Sequence, residues 1–206
     1  MIELLNGVSE DFIKKSQSIN IGSDQKFIVL YSGNMGLAQD LKTIVKAADL
    51  LSRYDIYFQF IGEGVCKSEL EIFAKPFSEK INFHNSTNRD ELIKLIKKSS
   101  VCLVPLKNKK LFNSALPSKM FEYMACARPI IVGIKGEAAE IVINSKSGTI
   151  VEPENATLLS ETIIDYYLNR DKCIKHGSNG IYFVKENLKK EKLISRLIKS
   201  IKKVES

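Results

Sequence analysis

An open parallel sheet with helices on both faces is the fold this chain predicts. Two observations carry that prediction. Apolar runs without polar alternation recur along the sequence, as in KFIVLYS (26–32), VCLVPL (101–106) and PIIVGI (129–134); strands buried on both faces read this way. Between such runs lie amphipathic stretches of helical length, so strand and helix alternate about six times. The size agrees. A chain of 206 residues, 44% hydrophobic, suits one large α/β domain, or a domain with appended helices. It buries roughly 70% of its unfolded surface and needs no disulfide or metal staple.

The elements follow in order. Residues 1–25 are polar and end in NIGSDQ, so they read as an irregular lead-in. Residues 26–32 are the first strand, and SGNMG turns the chain. LAQDLKTIVKAADLLSRY (37–54) predicts a helix with Leu41, Ile44, Val45, Ala48 and Leu51 on one face. DIYFQFIG (55–62) is the second strand, EGVCKSELEIFAK (63–75) a turn and helix, and INFH (81–84) a short third strand. NRDELIKLIKKS (88–99) is a helix with Asn88 or Thr87 as its N-cap. After the strand 101–106 comes a loop, 107–117, long for such a unit and so a place for function. A short helix over 120–127 and the strand PIIVGI follow. GEAAEIVINS (136–145) is a helix, GTIVEP (148–153) a strand and ENATLLSETIIDYYLNR (154–170) a helix, and two helical segments close the chain. Three parts result: the lead-in 1–25, a body 26–184, and a basic C-terminal helix 185–206 with Ile194, Leu197, Ile198 and Ile201 on its apolar face.

Charge separates these parts. The net charge is +7, yet residues 185–204 alone hold eight Lys/Arg and two Glu. The body is nearly neutral and lacks a basic stripe interleaved with aromatics, which argues against nucleic acid. The basic face of the tail is expected to meet an anionic membrane surface. The cysteines Cys66, Cys102, Cys126 and Cys173 form no CxxC and pair with no histidine at zinc spacing, so reduced residues of a cytoplasmic protein are expected. No apolar run approaches the ~20 residues of a membrane span, and MIELLNGVSEDF is not a targeting sequence. A cytoplasmic location follows, peripheral at the inner face of the membrane if the tail binds lipid.

In parallel sheets of this kind ligands bind at the carboxyl ends of the strands, where strand order reverses. The candidate residues are therefore those of the loops that leave the strands. Gly33, Asn34, Met35 and Gly36 form a turn whose N–H groups can approach a phosphate; a plain tight turn is the alternative. Gly62 and His84 end the next two strands, and a structural hydrogen bond is the usual role of a lone histidine such as His84. Ser118 and Lys119 open the helix that Glu122 continues. A lysine in a first helical turn is electrostatically unfavourable without an anion. Glu122, three residues on, shares its face and is able to accept two hydroxyls, as a ribose offers; the alternative is a solvated ion pair. Gly136 and Glu137 form a third loop-to-helix start. No Ser-His-Asp set, HExxH, P-loop or DxD cluster is present, so neither a metal nor a cofactor is expected and the catalytic residues stay unassigned.

Taken in order, LLNGV, YSGNMGLAQDL, FIGEG, PSKMFEYMACARPII, KGEAAEIV and SGTIVEPEN resemble the nucleotide-sugar-binding, C-terminal domain of family-4 retaining glycosyltransferases of the GT-B fold. The resemblance covers nearly the whole chain. It is nearest to the branch of bacterial capsule and O-antigen synthesis that includes N-acetyl-L-fucosamine transferases. It implies a Rossmann-like domain, one half of a GT-B fold, that binds a nucleotide sugar, UDP-linked by expectation. LLNGV resembles the junction with an N-terminal acceptor domain. Transfer to a lipid-linked or saccharide acceptor would use that missing half, and this chain alone should be nearly inactive. Of the family's Glu-x7-Glu pair the second member matches Glu122, whereas the first falls on Ser114. The Arg and Lys that bind the diphosphate fall on Asn34 and Gln39. Compensation would come from the amides of 33–36 together with Lys119. Two other readings stand beside this one: a non-catalytic nucleotide-sugar-binding subunit with a separate acceptor-domain partner, and a GT-B sugar-nucleotide epimerase. The latter needs acid/base groups that Ser114 does not supply.

Overall fold

The computed structural model describes residues 7–19, 26–77, 79–189 and 194. Six strands, β1 (Phe27–Ser32), β2 (Ile56–Ile61), β3 (Ile81–His84), β4 (Val101–Pro105), β5 (Ile130–Gly133) and β6 (Gly148–Ile150), form one parallel sheet in the order β3-β2-β1-β4-β5-β6. This is the parallel α/β sheet that the apolar runs predict, and the Rossmann-like domain that the resemblance implies. The strands alternate between two cores. Phe27, Val29 and Tyr31 face one, with Leu103 and Ile131; Leu30, Cys102, Val104, Ile130 and Val132 face the other. In β1, β4 and β5 no polar alternation appears in the sequence, whereas the edge strand β3 alternates half-buried Ile81 and Phe83 with exposed Asn82 and His84.

The helices cover those faces. On one lie α2 (Leu41–Leu50), α3 (Lys67–Ala74) and α7 (Ala156–Leu168). On the other lie α1 (Glu10–Ser18), α4 (Arg89–Lys98), α5 (Ser118–Ala125), α6 (Glu137–Ser145) and α8 (Arg170–Asn187). Asn88 caps α4 as its position predicts, its side chain accepting from the Glu91 N–H at 2.9 Å. A 3-10 helix, Lys110–Ser114, occupies the middle of the long loop after β4.

Three expectations change. The lead-in is not irregular throughout: α1 is capped by Ser9, buries Phe12 and Ile13, and is tied to α5 by the Ser16 hydroxyl, which donates to the Ala125 carbonyl at 2.9 Å. The helix expected over 37–54 begins only at Leu41. Ahead of it the Gln39 side chain accepts from the Gly36 N–H, and the Asp40 carboxylate accepts from Thr43 and from the backbone N–H of Glu154, which holds 37–40 as a turn. At the other end, Lys185 to Asn187 are the last turn of α8 and not the start of a separate tail helix. The chain leaves α8 at Leu188, whose carbonyl accepts from the Val8 N–H at 2.8 Å, and Lys189 pairs with Val8. Ile194 is helical and exposed, and the remainder of the predicted tail helix lies outside the described residues.

Strand order reverses between β1 and β4. Their ladder covers only Val29↔Val101 and Leu30↔Cys102, while β1 runs on beside β2 to Ser32↔Ile61. Beyond Leu30 the β4 side of β1 has no strand partner. The Tyr123 hydroxyl from α5 fills that place, accepting from the Ser32 N–H at 2.8 Å and exchanging a hydrogen bond with the Ser32 hydroxyl at 2.9 Å. This opening at the carboxyl end is the crevice where such sheets take ligands.

Candidate functional site

Lys119 stands at the mouth of the crevice. Its helix starts after Pro117, which has no side chain able to cap, and no side-chain hydrogen bond caps the first turn. The ammonium sits over the Tyr31 ring, 4.0 Å from its centroid, and fills the space beside Gly33: a Cβ placed there would lie 2.9 Å from Nζ. Burial holds the Lys119 pKa down to about 8, and the negative charge of Glu122 opposes that shift. Tyr31 lends its π face while its hydroxyl, kept protonated by burial, donates to the Asn34 carbonyl at 2.5 Å. Glu122 lies one turn further along α5 and is half-buried. Lys119 and Glu122 thus share the face of α5 that their spacing predicts.

The amides of 33–36 do not form the open cradle the sequence suggests. The Gly33 N–H donates to the Ile61 carbonyl at 2.8 Å and that of Met35 to the Glu63 carbonyl at 2.7 Å, while the Gly36 N–H is bonded to Gln39. Only the Asn34 N–H has no acceptor among the described hydrogen bonds. The Met35 side chain is wholly buried. Gly33, Met35 and Gly36 therefore shape the loop, and the donors left at its surface reduce to the Asn34 N–H and the neighbouring Lys119. Gly62 packs against this turn. Its φ is +140°, and a Cβ on it would lie 2.1 Å from the Gly33 carbonyl oxygen. The Gly62 N–H donates to the His84 carbonyl at 3.0 Å, so the ends of β1, β2 and β3 are stitched side by side. His84 enters through that carbonyl; its ring is exposed.

Gly136 and Glu137 belong to the β5 side. Gly136, with φ +77°, lies under the 3-10 helix, a Cβ on it falling 2.1 Å from the Asn113 carbonyl oxygen. Glu137 is exposed in the first turn of α6, and Ser114 and Ser118 are exposed at the two ends of the loop leading to α5. The structure thus sets Gly33, Asn34, Lys119 and Glu122 on the elements that border the β1/β4 opening, Gly62 and His84 at the ends of β2 and β3 beside it, and Gly136 and Glu137 across the loop after β4. Tyr31 and Tyr123 were not among the predicted residues. Their signal was faint: each is an aromatic carrying a hydroxyl within an otherwise apolar run, placed where a polar tip must find a partner. A separate cavity of about 480 Å³ lies behind the β1–α2 turn, lined by Asp40, Lys42, Glu69, Lys107 and Glu154 among others, away from Lys119. The second histidine, His176, bonds the Tyr166 hydroxyl through Nδ1 at 2.7 Å, a structural contact between α7 and α8.

A family model described as "Glycosyl transferases group 1" matches residues 11–183. The chain is 26% identical over 183 residues to the putative colanic acid biosynthesis glycosyl transferase WcaI of Escherichia coli K12, covering 87% of this chain and 44% of that protein. Its fold matches sucrose-phosphate synthase from Thermosynechococcus elongatus with a TM-score of 0.81 at 19% identity, over 96% of this chain and 51% of that one. It also matches Anabaena Alr3699/HepE, solved in complex with UDP and glucose, with a TM-score of 0.74 at 14% identity, over 96% and 53%. The chain spans about half the length of the curated relatives it matches. The family match takes in α1 through most of α8, both cores and the whole crevice, and the chain belongs to the group 1 glycosyltransferases.

Proposed function

We propose that this chain is the donor-binding part of a retaining glycosyltransferase, and that Lys119 and Glu122 hold a UDP-sugar. The observation that carries this is the Lys119 ammonium, half-buried over Tyr31 at the carboxyl edge of the sheet, where burial lowers its pKa to about 8. A cation kept there at a cost to folding is stabilised by an anionic ligand, and a diphosphate fits. Lys119 neutralises the charge that grows on the leaving diphosphate, assisted by the Asn34 N–H, and so lowers the barrier to departure of the sugar. Glu122 accepts hydrogen bonds from the ribose hydroxyls. The sugar then lies toward Gly136 and Glu137. Support for UDP comes from the Anabaena neighbour, solved with UDP and glucose. Support for a role in polysaccharide biosynthesis comes from the name of the colanic acid relative; a lipid-linked or saccharide acceptor is part of the same proposal. The acceptor would be bound by a part of the enzyme outside this chain.

Glu122→Gln tests the ribose contact. Calorimetry should show UDP weakened by about 1.5 kcal/mol, the scale of a hydrogen bond to a charged group. A 2′,3′-dideoxy analogue of UDP should bind wild type and variant alike. Equal losses with both ligands, or no loss with UDP, would remove Glu122 from the ribose.

A further inference from the structure

Lys67 is a lysine enclosed by the sheet edge. It opens α3, and its side chain is 11% exposed. The ammonium donates to both carboxylate oxygens of Glu63 at 3.2 Å and to the Asn85 side-chain oxygen at 2.6 Å. Glu63 Oε1 in turn accepts from the Ser86 N–H at 3.3 Å. Glu63 belongs to the loop after β2; Asn85 and Ser86 belong to the loop after β3. One enclosed charge therefore ties these two loops together.

The carboxylate partner Glu63 is 54% exposed, and an ion pair open to water on one side adds little stability. What Lys67 adds is direction. It fixes the Asn85 side chain, and through Glu63 it fixes the Ser86 amide. The loop it fixes needs this, because residues 84–88 are all exposed and none of them belongs to a core. Its place in the crevice gives that rigidity a use. With the diphosphate at Lys119 between β1 and β4 and the sugar toward β5, the nucleoside extends over the ends of β2 and β3. A base there meets the loop 84–87, and fixed backbone groups are the ordinary readers of a base edge.

We infer that Lys67 is a positioning residue for nucleobase selectivity: through Glu63 and Asn85 it holds the loop after β3 in the shape that distinguishes uracil from other bases. This rests on the nucleotide-donor reading above. Calorimetric titration of wild type, Lys67→Met and Asn85→Ala with UDP, ADP and pyrophosphate tests it. Asn85→Ala changes one exposed side chain and so keeps the test open should Lys67→Met fold poorly. Wild type should favour UDP over ADP. In both variants that preference should fall by about fivefold or more, with pyrophosphate affinity held within about twofold. A preference retained in Asn85→Ala, or parallel weakening of all three ligands, overturns the inference and leaves Lys67 a structural tie. Wild type binding UDP and ADP alike overturns it as well. Wild type binding no nucleotide at all sinks the donor reading itself, a different and separately visible failure.

Discussion

Lys119→Met should weaken UDP by about 2–3 kcal/mol, the scale of a lost charge-assisted contact, and leave uridine binding unchanged. The same substitution should raise the melting temperature at neutral pH. Burial depresses the Lys119 pKa to about 8, so the folded state disfavours the charged form. Below about pH 8 the ammonium is charged in both folded and unfolded chains, and its full burial cost falls on the folded state. That cost fades as pH rises from about 8 toward the unfolded value of 10.5. Methionine keeps the volume over Tyr31 without the charge, so its advantage should be largest at neutral pH and shrink toward pH 10.5. Gain in stability with loss of ligand is the pattern of a side chain retained for binding. A fall in melting temperature with UDP affinity intact would make Lys119 an ordinary structural lysine.

Gly62→Ala should destabilise the fold by about 3 kcal/mol or more. Two effects add. At φ +140° an L side chain is strained, and the new Cβ would meet the carbonyl oxygen of Gly33 at 2.1 Å and its carbon at 2.9 Å. Those obstacles are backbone, so relief requires the turn after β1 to move away from the end of β2. The hydrogen bonds from Gly33 to Ile61 and from Gly62 to His84 would be stretched together. At roughly 2–4 °C per kcal/mol for a domain of this size, the melting temperature should drop by about 6–12 °C. A drop of under ~2 °C would mean that the two turns are not locked as described.

The central strands were legible because apolar runs such as VCLVPL and PIIVGI are too short for a buried helix and rich in β-branched residues. Asn88 was legible because an N-cap is a local bond, closed within three residues. What the sequence hid depends on distant partners. The late start of α2 is set by Asp40, whose carboxylate is claimed by Glu154, 114 residues on. The helix in the lead-in is held by Ser16 reaching Ala125, 109 residues away. The turn 33–36 was visible as glycine-rich, but no local pattern says that its amides are consumed by the carbonyls of Ile61 and Glu63. Lys119 was conspicuous as a cation at a helix start; the Tyr31 ring beneath it comes from β1, and no spacing within α5 points to it. Glu63 and Lys67 stand four residues apart, but no local pattern says that Asn85 turns their ion pair into a bridge between loops.

The most direct test is a calorimetric titration of the wild-type chain with UDP between pH 7 and pH 9.5, with uridine beside it. If the diphosphate sits on Lys119, binding restores the proton that burial makes easy to lose. UDP affinity should then fall above about pH 8, approaching tenfold per pH unit, with proton uptake visible as a dependence of the binding heat on buffer. Uridine affinity should stay flat until the uracil N3–H itself begins to ionise at the top of this range. UDP affinity that is level across this range, with no proton taken up, would place the diphosphate away from Lys119 and contradict the site proposed for it.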